Sequence, residues 1–265
     1  MNLRIVRALL LRYIFLYTRS PVRLVEMVFW PIVDMLLWGF LTVFLQQNTT
    51  GNFPHFITYL LGAMILWDIL FRAQQGVAIS FLEDVWTRNL FNIFVAPVRT
   101  IEYLSATFAV GLLRICVTAV ALGIIGWLAY SFNVFVMSWW LIPFFVNLML
   151  FGWSLGMIST ALILRWGQAA ESLAWAVPFF IQPVVAVFYP VSVLPGWLQP
   201  LALALPVTHI FEGMREVMKS GTMSWVPLGW AFALNLVYLA LAGGLFGWIL
   251  RLTRQRGLLT KFATQ

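Results

Sequence analysis

Residues 190–219 read PVSVLPGWLQPLALALPVTHIFEGMREVMK. Four prolines and a glycine break the first half, and an amphipathic segment carrying Glu212, Arg215, Glu216 and Lys219 completes it. Long apolar runs stand on either side. The stretch is too polar and too broken for a lipid-facing span, yet too apolar for an ordinary exposed loop. Non-helical backbone at membrane depth survives only where protein or a wet cavity satisfies its polar groups. The stretch therefore predicts a re-entrant or interfacial helical hairpin near the outer surface, ahead of the last span. A long amphipathic outer loop is the competing reading, because short apolar stretches admit both.

The rest of the chain agrees with a membrane setting. Of its 265 residues, 62% are hydrophobic and 9% charged, against about 25% charged in a soluble domain. The apolar runs approach about 20 residues, the length of a spanning helix, rather than the roughly ten-residue alternation of a barrel strand. The expected fold class is all-α and integral to the membrane: six transmembrane helices, an N-terminal interfacial helix, a cytoplasmic helix between spans 2 and 3, and the outer re-entrant hairpin. Six spans would fill about half the chain and leave no room for a soluble domain. The net charge of +7 does not point to nucleic acid. Most basic residues lie at the two ends, where positive-inside bias and anionic lipid account for them. The single cysteine, Cys116, excludes an internal disulfide and a Cys-type metal site. The N-terminus lacks the pattern of a cleavable signal peptide.

Residues 1–24 place Arg4, Arg7, Arg12, Arg19 and Arg23 among Leu, Ile, Tyr and Phe. This predicts an amphipathic helix on the cytoplasmic leaflet, with a plain basic flank as the simpler alternative. Residues 25–265 form the six-span domain. Spans are expected at 25–45, 56–81, 103–130, 139–164, 172–189 and 225–250. The turns at 46–55 and 131–138 carry no Lys or Arg, whereas the N-terminal flank and the tail (Arg251, Arg254, Arg256, Lys261) are basic. Both termini are therefore expected in the cytoplasm. Trp139, Trp140, Trp166, Trp197 and Trp225 fall near proposed boundaries, as interface anchors do. No inverted repeat is evident between the halves.

The longest inner loop, 83–102, reads EDVWTRNLFNIFVAPVRTIE. Val85, Trp86, Leu90, Phe91 and Phe94 make one side apolar; Glu83, Asp84, Thr87, Arg88 and Asn92 make the other polar; Pro97 stops the helix. Such a surface helix suits docking of a partner, or contact with lipid alone.

Ionisable groups inside spans call for partners or a function. Asp34 and Asp68 share a depth, counted at about 1.5 Å per residue from the outer ends of spans 1 and 2. Arg72 stands at i+4 from Asp68 and can pair with it. Arg114 lies near the middle of span 3. These four residues predict one neutral cluster joining spans 1, 2 and 3. A buried ionic staple is preferred over the lining of a substrate path, because a broken buried pair leaves an unpaired charge. Gln74, Gln75, Asn147, Gln182 and Asn235 are read as interhelical hydrogen-bonding groups by default. His209 lacks companions at ligand spacing, so no metal is expected; a hydrogen bond within the hairpin is its assigned role.

Leu194-Pro195, then Pro206-x-x-His209, then Arg215 resemble the signature of ABC exporter permeases of the second type. That family includes permeases for O-antigen and capsule polysaccharides, for lipo-chitooligosaccharide nodulation signals and for antibiotic efflux. Val185 and Val207 depart from its pattern; Pro195, Pro206, His209 and Arg215 do not. The stretch NLFNIFVAPVRTIEY, beginning at Asn89, resembles the family's inner-loop segment, which supplies the coupling helix. The resemblance implies that Glu83, Arg88, Asn89 and Pro97 meet an ATPase subunit. It also implies a homodimer with two such subunits in a bacterial inner (plasma) membrane, and an amphipathic or glycan-type cargo. Phe179, Phe180, Phe188 and Tyr189 are aromatic candidates for stacking on that cargo, or for lipid and core contacts.

No G-x-x-x-x-G-K-[ST] loop is present, and neither lysine, Lys219 nor Lys261, follows a glycine. ATP and Mg²⁺ are therefore expected on the partner chain, with no cofactor held by this one. Two other classes were weighed against a permease: a gradient-driven transporter using Asp34, Asp68 and Arg114 as an ion relay, and a membrane enzyme. The second needs a nucleophile or acid constellation that the sequence does not contain.

Overall fold

The computed structural model describes residues 1–48, 56–131 and 134–255. His55 in the first outer turn, and Arg256 and Lys261 in the tail, lie outside them. Among the described residues the chain is helical, without strands. Ten α-helices follow in order: α1 Leu3–Thr18, α2 Pro21–Asn48, α3 Phe56–Trp86, α4 Leu90–Val95, α5 Thr100–Tyr130, α6 Leu141–Trp166, α7 Glu171–Ile181, α8 Gln199–Leu203, α9 Pro206–Ser220 and α10 Trp225–Gln255. Short 3₁₀ turns precede α6, α7 and α8.

Local chemistry sets the boundaries. The Asn2 side chain accepts a hydrogen bond from the Arg4 amide and caps α1. The helix stops at Thr18, and Pro21 opens α2, the position where a missing N–H does least harm. Residues 21–24, expected in the N-terminal helix, thus belong to α2. Ser131, left-handed at φ 52°, ends α5, and Gly221 at φ 78° ends α9.

Four segments are long and apolar enough to cross a membrane: Pro21–Phe44, Thr100–Tyr130, Met137–Trp166 and Trp225–Gln255. Helix α3 has 31 residues, a length of about 46 Å at 1.5 Å per residue, but carries Asp68, Arg72, Glu83 and Asp84. It tolerates them because it is the central helix, packed against α2, α5, α6 and α7. Glycine makes the closest crossing possible: a Cβ on Gly76 of α3 would collide with the backbone of Gly111 on α5. Close approach over small residues is the usual basis of helix packing without a hydrophobic drive between helices. Polar ties add to it. Gln74 donates to Ser159 Oγ (3.2 Å) and the Ala174 carbonyl (2.8 Å), joining α3 to α6 and α7; Asn235 donates to Asn147 Oδ1 (2.9 Å), joining α10 to α6.

Buried apolar residues fall into two main clusters, one at each end of the bundle. At one end, here the basic end, α1, α4 and the adjoining ends of α3, α5, α6, α7 and α10 meet. At the other, the proline end, α9, Val185 and Val187 pack on the opposite ends of α2, α3, α5, α6 and α10.

The expected span at 172–189 is helical only to Ile181. Pro183 cannot donate the amide that would continue the helix, and Ala186 takes a left-handed φ of 53°. Tyr189 folds back to donate to the Pro183 carbonyl (2.6 Å). The proline-rich stretch that follows forms a 3₁₀ turn at Val191–Val193, then α8 and α9. Helix α9 is strongly amphipathic: Val207, Ile210, Phe211, Met214 and Val217 are buried against α10, α6 and α3.

Candidate functional site

Three arrangements carry the ionisable residues. The first is a buried network at the basic end. Asp84, 0% exposed, accepts hydrogen bonds from Tyr13 (2.6 Å) and Tyr103 (2.9 Å) and pairs with Arg12. Glu83, 4% exposed, accepts from Tyr17 (2.7 Å), lies 3.5 Å from Arg23 and 4.0 Å from Arg114. The Arg114 guanidinium also sits over the Tyr17 ring, 4.7 Å from its centroid. Adjacent carboxylates on α3 thus hold α1, the start of α2 and α5 together. Burial raises the Tyr13 hydroxyl well above its ordinary value and the Asp84 carboxylate adds to the rise, so Tyr13 stays a proton donor. Burial by itself would lower the Arg12 guanidinium, but Asp84 outweighs it and the group is raised.

This corrects two expectations. Glu83 does not face outward from the inner loop; it is the penultimate acid of α3's buried end. Arg114 does not join Asp34 and Asp68 in one cluster; it turns to Glu83 and, through its Nη1, to the Gln75 carbonyl (3.5 Å). Sequence spacing missed both because depth along separate helices says nothing of the direction in which side chains point.

The second arrangement is a groove along α2. Arg72 pairs with Asp68 at 3.2 Å, as the i+4 spacing predicts, and donates to Gln75 Oε1 (2.9 Å). Asp34 stands across from this pair, exposed, with no ion pair or hydrogen bond among the described residues. Two adjoining cavities of about 480 and 270 Å³ meet here and share Trp30, Asp34, Phe71, Arg72 and Phe179; the larger is within the usual size range of ligand pockets. Phe71 packs on Phe179 with ring centroids 5.5 Å apart; Trp38 stacks on Phe188, also at 5.5 Å. Phe179 and Phe188, singled out in the sequence, line this groove, as does Gln182. Phe180 is exposed on the outside of α7.

The third arrangement explains the Pro-His-Arg stretch. Arg215 donates to the carbonyls of Ala186 (3.0 Å) and Val187 (3.2 Å) and pairs with Glu212 (3.0 Å), which in turn accepts from the Val191 amide (2.7 Å). These carbonyls lie in the non-helical segment after α7, where the guanidinium fork supplies donors that a helix would otherwise provide. His209 Nε2 lies 2.9 Å from the Leu203 carbonyl; since a carbonyl only accepts, Nε2 carries the proton. Pro206 opens α9, and Pro195 heads the turn whose carbonyl accepts from the Leu198 amide (2.8 Å).

The inner loop is short. Arg88 is exposed, with a left-handed φ of 54°; Asn89 caps α4 and accepts from Asn92 (3.1 Å); Pro97 is exposed just beyond the helix. Leu90 and Ile93 anchor α4 to the core while Val95 faces outward. The side chains of Phe91 and Phe94 lie outside the described set. Glu102 accepts from the amides of Asn2 (2.6 Å) and Arg99 (3.0 Å), tying the N-terminus to the end of the loop.

The sequence reading assigns no site role to Glu26, Trp30, Trp38, Asp84, Tyr13 or Tyr17. One signal was present: Glu26, Trp30, Asp34 and Trp38 recur every four residues and so lie along one side of α2.

Comparison with known proteins agrees with this arrangement. The family model for the ABC-2 type transporter matches residues 4–219, from α1 through α9. The inner membrane transport permease YadH of Escherichia coli K12 is 24% identical over 238 residues, covering 86% of this chain and 88% of that protein. The proteins of the same name in Escherichia coli O157:H7 and Shigella flexneri match to the same extent. The match spans the buried network, the groove and the Arg215 turn alike, and the chain belongs to the ABC-2 type transporter family.

Proposed function

We propose that this chain is the membrane permease of an ATP-driven exporter, working as a homodimer with two separate ATPase subunits that carry ATP and Mg²⁺. Membership of the family supports a transport subunit of an ABC transporter, and the relative's name supports a bacterial inner membrane. In this reading α2, α3, α5, α6, α7 with its following turn, and α10 form six spans. The basic end lies in the cytoplasm with both termini, and residues 190–219 form the re-entrant outer hairpin. Helix α1 lies at the inner surface. The cargo is amphipathic or glycan-type and passes between the protomers.

The observation that carries the reading is the continuity at the basic end. The turn bearing Arg88, Asn89 and Pro97 connects directly to α3 and α5, and the Glu83–Asp84 network locks those helices to α1 and α2. Force applied at α4 by a closing ATPase would therefore reach the groove-lining helix α2 through buried ion pairs rather than through a flexible joint.

The test is purification of the tagged chain from native membranes in mild detergent, with ATPase assay of the eluate. A co-eluting soluble subunit with a phosphate-binding loop, and ATPase coupling lost in Arg88→Glu, is the expected result. A chain that elutes alone and without ATPase activity would transfer the reading to a gradient-driven carrier built on Asp34, Asp68 and Arg114.

A further inference from the structure

The groove along α2 has a chemical bias that the reading above leaves open. Glu26, Trp30, Asp34 and Trp38 alternate acid and indole at four-residue steps. Glu26, Trp30 and Asp34 line the larger cavity; Trp30, Asp34 and Trp38 line the smaller. The facing wall supplies Phe71 and Trp175 and, toward the proline end, Phe188.

Each cation of this groove lies within ion-pair distance of a carboxylate other than Glu26 or Asp34. Arg72 is held by Asp68 and Gln75, Arg23 lies against Glu83, and Arg114 against Glu83 and the Tyr17 ring. Glu26 and Asp34 have no ion pair or hydrogen bond among the described residues. Counting the charged residues that line the two cavities, Arg23, Arg72 and Arg114 face Glu26, Asp34, Asp68 and Glu83, a formal excess of one negative charge; burial raises Glu83 to about 7, so the bias rests on the exposed acids Glu26 and Asp34 rather than on the total. An uncharged glycan entering the groove would strip water from two carboxylates and return no counter-charge, an expensive exchange at low dielectric. An organic cation would neutralise them, while the indole and phenyl faces attract it through their quadrupoles.

We propose that this groove is a binding site for lipophilic organic cations, so that the cargo of the permease is a cationic amphiphile: an apolar body bearing an ammonium, guanidinium or comparable group. The inference rests on the permease reading for its transport meaning, but the site itself belongs to this chain alone. Asp34 and Glu26 supply the counter-charges, about 12 Å apart along the helix at 1.5 Å per residue. Trp30 forms the floor between them, and Trp38 with Phe188 closes the proline end.

The test is equilibrium dialysis of tritiated tetraphenylphosphonium against the purified full chain in detergent, with protein-free micelles as the blank. The anion of matching shape, tetraphenylborate, is dialysed in a separate experiment, and the neutral glycan maltoheptaose serves as competitor. Saturable phosphonium binding is expected, with no saturable borate binding and no displacement by maltoheptaose. Asp34→Asn should weaken it about tenfold, the loss of one counter-charge worth about 1.4 kcal/mol, while Asp34→Glu retains it. Trp30→Ala should weaken it by a smaller factor, about three- to fivefold. Equal binding by wild type and Asp34→Asn would overturn the proposal, as would displacement by maltoheptaose. An unchanged melting temperature for Asp34→Asn keeps a loss of binding from being a loss of fold. The measurement needs no ATPase subunit, so its failure is distinct from a failed co-purification.

Discussion

Two pairs of carboxylates differ in almost everything but their chemistry. Glu83 and Asp84 at the basic end are buried and meet three arginines and three tyrosine hydroxyls. Glu26 and Asp34 on α2 are exposed in an aromatic groove and have no ion pair or hydrogen bond among the described residues. The first pair binds helices to one another and is closed to any ligand. The second is open, exposed along the groove without such partners among the described residues. A carboxylate within a membrane bundle is thus a staple or a site according to whether its counter-charge comes from the same chain, and sequence position does not reveal which.

The comparison breaks most readily at Asp84. Asp84→Ala leaves the Arg12 guanidinium and two tyrosine hydroxyls without their acceptor, and should cost about 3–5 kcal/mol, as removal of one partner of a buried pair does. Thermal unfolding in detergent would read it as a large drop in melting temperature. A similar drop in Asp34→Ala would erase the distinction between staple and site.

Next comes the proline end. Arg215→Ala releases the carbonyls of Ala186 and Val187 and the Glu212 carboxylate, and should cost about 2–4 kcal/mol, each lost charge-assisted bond contributing roughly 1.5–3 before relaxation. Arg215→Lys should recover only part of this, because a single ammonium cannot span two carbonyls and a carboxylate as the guanidinium fork does. Limited proteolysis within 182–199 checks it: the alanine variant should be cut faster.

Tyr17→Phe sharpens the comparison on a smaller scale. It removes one hydrogen bond to Glu83 while keeping the ring under Arg114, and should cost about 1 kcal/mol. Full stability in this variant would mean that Arg23 and Arg114 alone satisfy Glu83. The smallest effect is expected at Glu26. Glu26→Gln should leave the stability within about 0.5 kcal/mol of wild type, as exposed surface positions do, yet weaken phosphonium binding.

Much of this arrangement was legible in the residues. The apolar runs marked α2, α5, α6 and α10, and Pro97 marked the end of the inner-loop helix. The i+4 spacing identified the Asp68–Arg72 pair. Gln74, Asn147 and Asn235 were read as interhelical bonds and are. Other features were not. The early end of α7 at Ile181 escaped because 172–189 is apolar throughout, and apolarity alone does not separate a helix from backbone held by a distant arginine. Glu83 was placed on a surface because a run of polar residues usually faces water; here it faces α1, whose tyrosines and arginines are some 70 residues away in sequence.

What the sequence by itself determined is local or additive: a helical membrane protein, most of its helix ends, the amphipathic side of α9, and a Pro-His-Arg signature sufficient to indicate a family. These depend on periodicity, proline geometry and composition, which act within a few residues. What only the tertiary structure decided is pairing across helices: Arg114 with Glu83 rather than Asp34, Arg215 with the non-helical segment after α7, and two acids of α2 with no ion pair or hydrogen bond among the described residues. A hydrogen bond needs donor and acceptor within about 3.5 Å and Coulomb energy weakens as the inverse of distance, so pairing depends on contacts set by how helices cross, here at Gly76 and Gly111, not by the order of residues along any one of them.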